Sequence, residues 1–119
     1  MILSIIGASL TILWGISHLF PTKSVVKDFG DISEDNKNIV YMEWINEGVT
    51  LISLGALVIL SIIITGNVVS YLNIFVIIVL AVLAIISLFT GFRINFIPFK
   101  LCPVIFTVSA VLLLLGIFV

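Results

Sequence analysis

Charge is what this chain has least of. Five Lys and Arg and six Asp and Glu make up 9% of its 119 residues, against about 25% in an ordinary globular domain. A water-facing surface cannot be assembled from so few, so the solvent for this chain is mostly lipid. The formal net charge of −1 excludes the basic footprint of a nucleic-acid-binding protein, and no run of like charges marks a tail. Cysteine occurs once, as Cys102, which excludes an internal disulfide and any Cys-x-x-Cys metal or redox motif. Histidine also occurs once, as His18, leaving too few ligands for a zinc site or a bis-histidine haem within one chain. No metal and no cofactor is expected.

What the chain does have is long apolar runs. Residues 1–20 carry no charge before His18, about the ~20 residues a helix needs to cross hydrocarbon. A cleaved signal peptide would show a basic first segment and a small-residue cleavage site. Neither is seen, so this run reads as span one. Gly7, Thr11 and Gly15 form a small-residue ridge along it that admits a close neighbour, with Trp14 and His18 at its edge. Pro21 ends the span.

Residues 21–38 form the polar segment. Val25, Val26 and Phe29 oppose Lys23 and Lys27 at helical spacing, with Gly30 as a stop, which predicts a short interfacial helix. Ser33 followed by acids, or Asp31 with Glu34, predicts an N-cap. Helix two then runs from near Ser33 to Thr65, with its membrane span over about 40–65. Gly66-Asn67 reads as a tight turn. Span three covers about 68–92, with Ser70, Asn73, Ala84, Ser87 and Gly91 expected to face protein. Asn73 suits an interhelical hydrogen bond better than a substrate contact. Residues 93–100 read as an interfacial connection with Arg93 and Lys100 at headgroup level. Span four covers about 101–119, with Pro103 placed in its first turn and Cys102, Ser109 and Gly116 on its packing seam. Cys102 reads as a packed, inert thiol.

These segments predict one transmembrane domain over residues 1–119: an all-α, integral membrane four-helix bundle with a short interfacial helix between spans one and two. Every Lys and Arg lies after span one or span three, and none lies in the turn after span two. The positive-inside rule places those two loops in the cytoplasm and both termini outside.

One stretch concentrates the chemistry. Over residues 41–50, Glu43, Glu47 and Thr50 share a helical face with Asn46 at its edge, while Trp44, Gly48 and Gly55 share a neighbouring face. Because spans one and two are consecutive and antiparallel, His18 belongs at the same membrane level as Glu43 and Glu47. Two carboxylates one turn apart in a low-dielectric place do not both ionise cheaply, and a nearby histidine could share a proton with them. The deeper Glu47 is expected to face the bundle interior and meet the span-one face carrying Trp14 and His18, with Glu43 one turn nearer water. The candidate acid–base residues are therefore His18, Glu43 and Glu47. The candidate ligand-binding set is Trp14, His18, Glu43, Trp44, Asn46, Glu47 and Thr50. Two bland readings stand beside these: a wet polar collar at the interface, and tryptophans acting as interfacial anchors.

Trp14-Gly15-Ile16-Ser17-His18-Leu19-Phe20-Pro21-Thr22, Gly30-Asp31-Ile32-Ser33-Glu34-Asp35-Asn36 and Met42-Glu43-Trp44 with Glu47-Gly48 resemble a group of small uncharacterised bacterial four-span membrane proteins. The resemblance covers roughly the first half of the chain and implies a bacterial inner (plasma) membrane location. More distantly, Trp14-Gly15-x-x-His18-Leu19 with acids on the next helix resembles the sterol isomerase family of four-span proteins, which implies proton relay in an apolar pocket. This chain lacks the glutamate that follows that family's histidine in the same helix, and it offers no partner in span four. Its size and layout are also similar to those of DoxX-type membrane proteins, a likeness of architecture alone.

Three functions compete. The first is a binding or accessory protein for a lipid or small amphiphile, with a polar pocket at the cytoplasmic end of spans one and two. It needs only a cavity. The second is a membrane enzyme moving protons on a lipidic substrate, which needs His18, Glu43 and Glu47 around an enclosed cavity. The third is an oligomeric transporter or channel subunit, which needs polar faces through the whole thickness. Membrane lipids are the expected partners, self-association into a homo-oligomer is left open, and no nucleic acid is involved.

Overall fold

The computed structural model describes the backbone of residues 1–91 and 97–118, and the side chains of 1–89 and 101–118. Five helices follow in order: α1 (Ile2–Leu19), α2 (Thr22–Asp28), α3 (Glu34–Thr65), α4 (Ser70–Gly91) and α5 (Ile97–Phe118). No strand occurs among the described residues. Helices α1, α3, α4 and α5 are each long and apolar enough to cross a membrane. The protein is an all-α membrane bundle with the short α2 between its first two spans.

Local chemistry sets the boundaries. The Ser33 hydroxyl accepts the Asn36 backbone N–H at 3.1 Å, so Ser33 is the N-cap of α3, and Glu34 and Asp35 sit in the first turn, where the helix dipole favours negative charge. Gly66 ends that helix at φ 74°, a left-handed conformation that glycine adopts without a Cβ clash. At 32 residues, α3 is about 48 Å long at 1.5 Å per residue. That exceeds the ~30 Å of hydrocarbon, so its first turns stand clear of the apolar layer. On α2, Val26 is buried, and Lys23, Lys27 and Phe29 are exposed.

α1 is the centre of the bundle. One side meets α3 and the other meets α5, and α5 in turn packs along α4. Small residues make both α1 contacts close. A Cβ on Gly15 would lie 2.8 Å from the Gly48 carbonyl oxygen, and one on Gly55 would lie 2.5 Å from that of Ala8. On the other side, a Cβ on Gly7 would lie 3.0 Å from the Ser109 carbonyl oxygen, and one on Gly116 would collide with Ser4. The seam on α3 runs through Gly48, Leu51, Gly55, Val58 and Ile62. The seam on α5 runs through Pro103, Phe106, Ser109, Leu113 and Gly116. Between α1, α4 and α5, the Asn73 amide donates to the Ser4 hydroxyl at 3.0 Å and to the Leu113 carbonyl at 3.5 Å. This is the interhelical bond expected of Asn73.

Two expectations need correction. Pro103 is not in the first turn of the last span, because α5 begins at Ile97 and the proline lies inside the helix. Its missing N–H opens the ladder there, and the carbonyl of Pro103 accepts the Thr107 hydroxyl at 2.6 Å. Ser70 is exposed, whereas Asn73 and Ala84 are buried. A serine at the first turn of a span lies where water can serve it, and the protein-facing stripe of α4 consists instead of Asn73, Val76, Leu80 and Ala84. Arg93 and the side chain of Lys100 lie outside the described residues, as does the reading of residues 92–96.

The consecutive helices α3 and α4 are the least packed of the neighbouring long pairs, although a short turn joins them. α3 is held by α1 and α4 by α5, so the bundle is open along the α3–α4 side.

Candidate functional site

The site begins at the end of α1. Pro21 has no N–H to continue the ladder, so the last carbonyls of α1 take other donors. Leu19 accepts the Thr22 hydroxyl at 2.6 Å. His18 accepts the Trp44 indole N–H from α3 at 2.6 Å. The same tryptophan stacks on the His18 imidazole, with ring centroids 3.8 Å apart and planes 17° from parallel. These two contacts, together with the close approach of Gly15 and Gly48, fix the imidazole between α1 and α3.

One turn beyond Trp44, Glu47 reaches the same imidazole, with its Oε2 3.5 Å from His18 Nε2. The pair is unequal. The His18 side chain is 7% exposed and that of Glu47 is 43% exposed. The Nε2 atom is buried and makes no well-formed hydrogen bond, so it lies near the carboxylate without being bonded to it. Glu47 therefore meets His18 as expected but lies at the open edge of the bundle instead of within it. The reason is angular: α3 turns Gly48 and Leu51 toward α1, which leaves Glu47 on the flank.

That flank lines an open groove of about 570 Å³, bounded by Phe29, Ile39, Val40, Glu43, Trp44, Asn46, Glu47, Thr50 and Leu83. Glu43, Asn46 and Thr50 are all exposed in it. The Thr50 hydroxyl donates to the Asn46 carbonyl at 2.7 Å, leaving its lone pairs free to accept. Five of the seven expected ligand-binding residues thus share one wall. His18 backs that wall without lining it.

Trp14 stands apart from the groove. Its indole N–H is buried with no well-formed hydrogen bond, and the Cys102 thiol of α5 is the polar group beside it. Trp14 and Cys102 both pack on the apolar core, so the structure does not bring Trp14 together with Glu43, Asn46 and Thr50. Sequence reasoning passed over Phe29 and Leu83 as groove residues. Phe29 was assigned to an interfacial face, and nothing in the α4 pattern sets Leu83 apart from other leucines. Among the described residues, no group of His, Cys, Asp or Glu is arranged to hold a metal ion.

A search against protein-family models, curated proteins and solved structures gives no match for this chain.

Proposed function

We propose that this protein binds a lipid or small amphiphile that enters from the membrane between α3 and α4. The observation that carries this reading is the groove beside α3. It is large enough for a chain of carbons, apolar where Phe29, Ile39, Val40 and Leu83 line it, and polar where Glu43, Asn46, Glu47 and Thr50 do. Ligand sites commonly combine an apolar lining with a few convergent polar groups. The loose α3–α4 side supplies the entrance. In this reading the loops bearing Lys23, Lys27 and Lys37 are cytoplasmic, both termini are outside, and the membrane is the bacterial inner membrane. Membrane lipids are the surrounding partners.

A second reading, proton transfer on a lipidic substrate, draws on the His18–Glu47 contact at 3.5 Å. It is less well supported, because Glu43 is exposed and the groove is open instead of enclosed. A channel or transporter subunit gains little support, since the buried seams are apolar over most of their length.

The test is photo-crosslinking with a diazirine-bearing single-chain amphiphile in nanodiscs, followed by peptide mapping. Adducts should fall on the α3 segment containing Thr50 and on α4 near Leu83, and Leu83→Trp, which fills the groove, should abolish them. Adducts spread evenly over all lipid-facing helices would contradict a specific site.

A further inference from the structure

We infer that a second groove, on the far side of α3, holds the head of an anionic phospholipid, with its phosphate taken by Lys23 and Tyr41. This groove of about 470 Å³ is lined by Leu19, Phe20, Thr22, Lys23, Tyr41 and Ile45. It shares no residue with the groove on the α4 side, so either can be occupied without the other. Tyr41 and Ile45 lie four apart on one face of α3, turned away from Glu43, Asn46 and Thr50 by the 100° step of the helix. Their level matches the layers of a membrane. About 20 residues of α3, counted back from the Gly66 turn, cover the hydrocarbon, which sets the boundary near Asn46. Ile45 is at that boundary and Tyr41 is one turn beyond it. On the α1 side, Leu19 is the last helical residue, and Phe20 follows it with 85% of its surface exposed. The groove is therefore apolar where acyl chains lie, through Leu19, Phe20 and Ile45, and polar at the headgroup level, through Thr22, Lys23 and Tyr41.

Charge decides which head fits. Every Asp and Glu of the chain lies among the described residues, and none of these carboxylates pairs with Lys23: Glu34 pairs with Lys37 at 3.7 Å, and Glu47 lies beside His18. No carboxylate lines the groove either. Tyr41 is half-buried, and its hydroxyl makes no hydrogen bond among the described residues. The Thr22 hydroxyl donates to the Leu19 carbonyl at 2.6 Å, so it meets a head only as an acceptor. The groove thus offers an ammonium with three donors and a phenol with one, which suit the unesterified oxygens of a phosphate, and it leaves the Thr22 oxygen for a hydroxyl of the head. The surrounding segment is not basic: residues 21–38 hold three Lys against four Asp and Glu. A diffuse polybasic attraction therefore does not account for an anionic preference, and a paired contact in the groove does. Choline and ethanolamine heads carry a cation next to the phosphate, which Lys23 repels. The net-negative head is the better occupant.

The full chain in detergent micelles is titrated with phosphatidylglycerol and phosphatidylcholine of distinct mass, and the lipid-bound states are resolved by native mass spectrometry. Phosphatidylglycerol should bind about fivefold more tightly, the size of effect one lysine has at a membrane surface. Lys23→Gln should remove that preference and Lys23→Arg should keep it, since a guanidinium also takes a phosphate. Tyr41→Phe, which deletes one donor, should reduce it by roughly twofold. Lys27→Gln makes the same change of net charge on α2 outside the groove and should leave the preference in place, as should Leu83→Trp in the other groove. Equal binding of the two lipids would overturn the inference. So would equal losses in Lys23→Gln and Lys27→Gln, the mark of diffuse surface attraction, or a preference that survives Lys23→Gln. Millimolar inorganic phosphate should not displace the bound lipid. Displacement would assign Lys23 and Tyr41 to a soluble anion and overturn the choice of a phospholipid.

Discussion

Trp44 does the work of two residues at the end of α1. Its N–H satisfies a carbonyl that Pro21 leaves exposed, and its ring holds the His18 imidazole by stacking. Trp44→Phe keeps an aromatic face and deletes the donor, so it should cost about 1 kcal/mol, the usual net value of a hydrogen bond. Reversible unfolding in mixed micelles measures it, and a cost no greater than that of an exposed substitution such as Leu114→Ile would show that the carbonyl finds water. Gly48 is a stricter case. Any side chain there meets Leu19 and the Gly15 carbonyl, so Gly48→Leu should destabilise by ~1–3 kcal/mol or more through overpacking. The same assay checks this, and a neutral result would mean that α1 and α3 can part without cost. Both residues were legible in the sequence, Gly48 by its place beside Trp44 on one helical face and Trp44 as an aromatic near the interface. The bond from Trp44 to His18 was not legible. It depends on the rotation of α3 about its axis, which only the packing of Gly15 on Gly48 settles.

At the scale of elements, the long α3 depends on its ends. Ser33 caps its start and Gly66 closes it at positive φ. Ser33→Ala should cost about 0.5–2 kcal/mol, the range for lost N-caps. The loss should appear as faster amide exchange in the first turns of α3, before the hydrocarbon layer. Uniform exchange along the helix would indicate that the bundle, and not the cap, holds that end. The cap was legible because a serine before two acids has few other local meanings. The start of α5 was not. Pro103 invites a first-turn reading, yet the helix begins six residues earlier and runs through the proline. Small-residue spacing served better for packing: Gly7 and Gly15 on α1, with Ser109 and Gly116 on α5, all lie at close contacts. Spacing did not reveal which helix each would meet, and α1 divides its ridge between two partners.

For the whole molecule, the arrangement α3–α1–α5–α4 leaves the consecutive α3 and α4 apart and opens the side where the acidic wall lies. Composition foretold a membrane bundle, because eleven charges cannot cover a soluble surface. It could not foretell an opening, which depends on which pairs of helices touch. Orientation can be checked by thiol labelling in intact cells on a Cys102→Ser background. A cysteine at Asn67 should react with an impermeant reagent and one at Asn36 should not, and the reverse pattern would invert the topology.

The central claim is that the groove beside α3 takes an amphiphile, and the two tryptophans test it directly because Trp44 lines the groove while Trp14 is packed against Cys102. Each is made the sole tryptophan by replacing the other with phenylalanine, and a brominated single-chain amphiphile is titrated into nanodiscs. Quenching of Trp44 should saturate at low mole fraction and disappear in Leu83→Trp controls corrected for the added indole, with Trp14 quenched weakly and without saturation. Equal, unsaturable quenching of both tryptophans would contradict a bound amphiphile and reduce the acidic wall to a solvated collar.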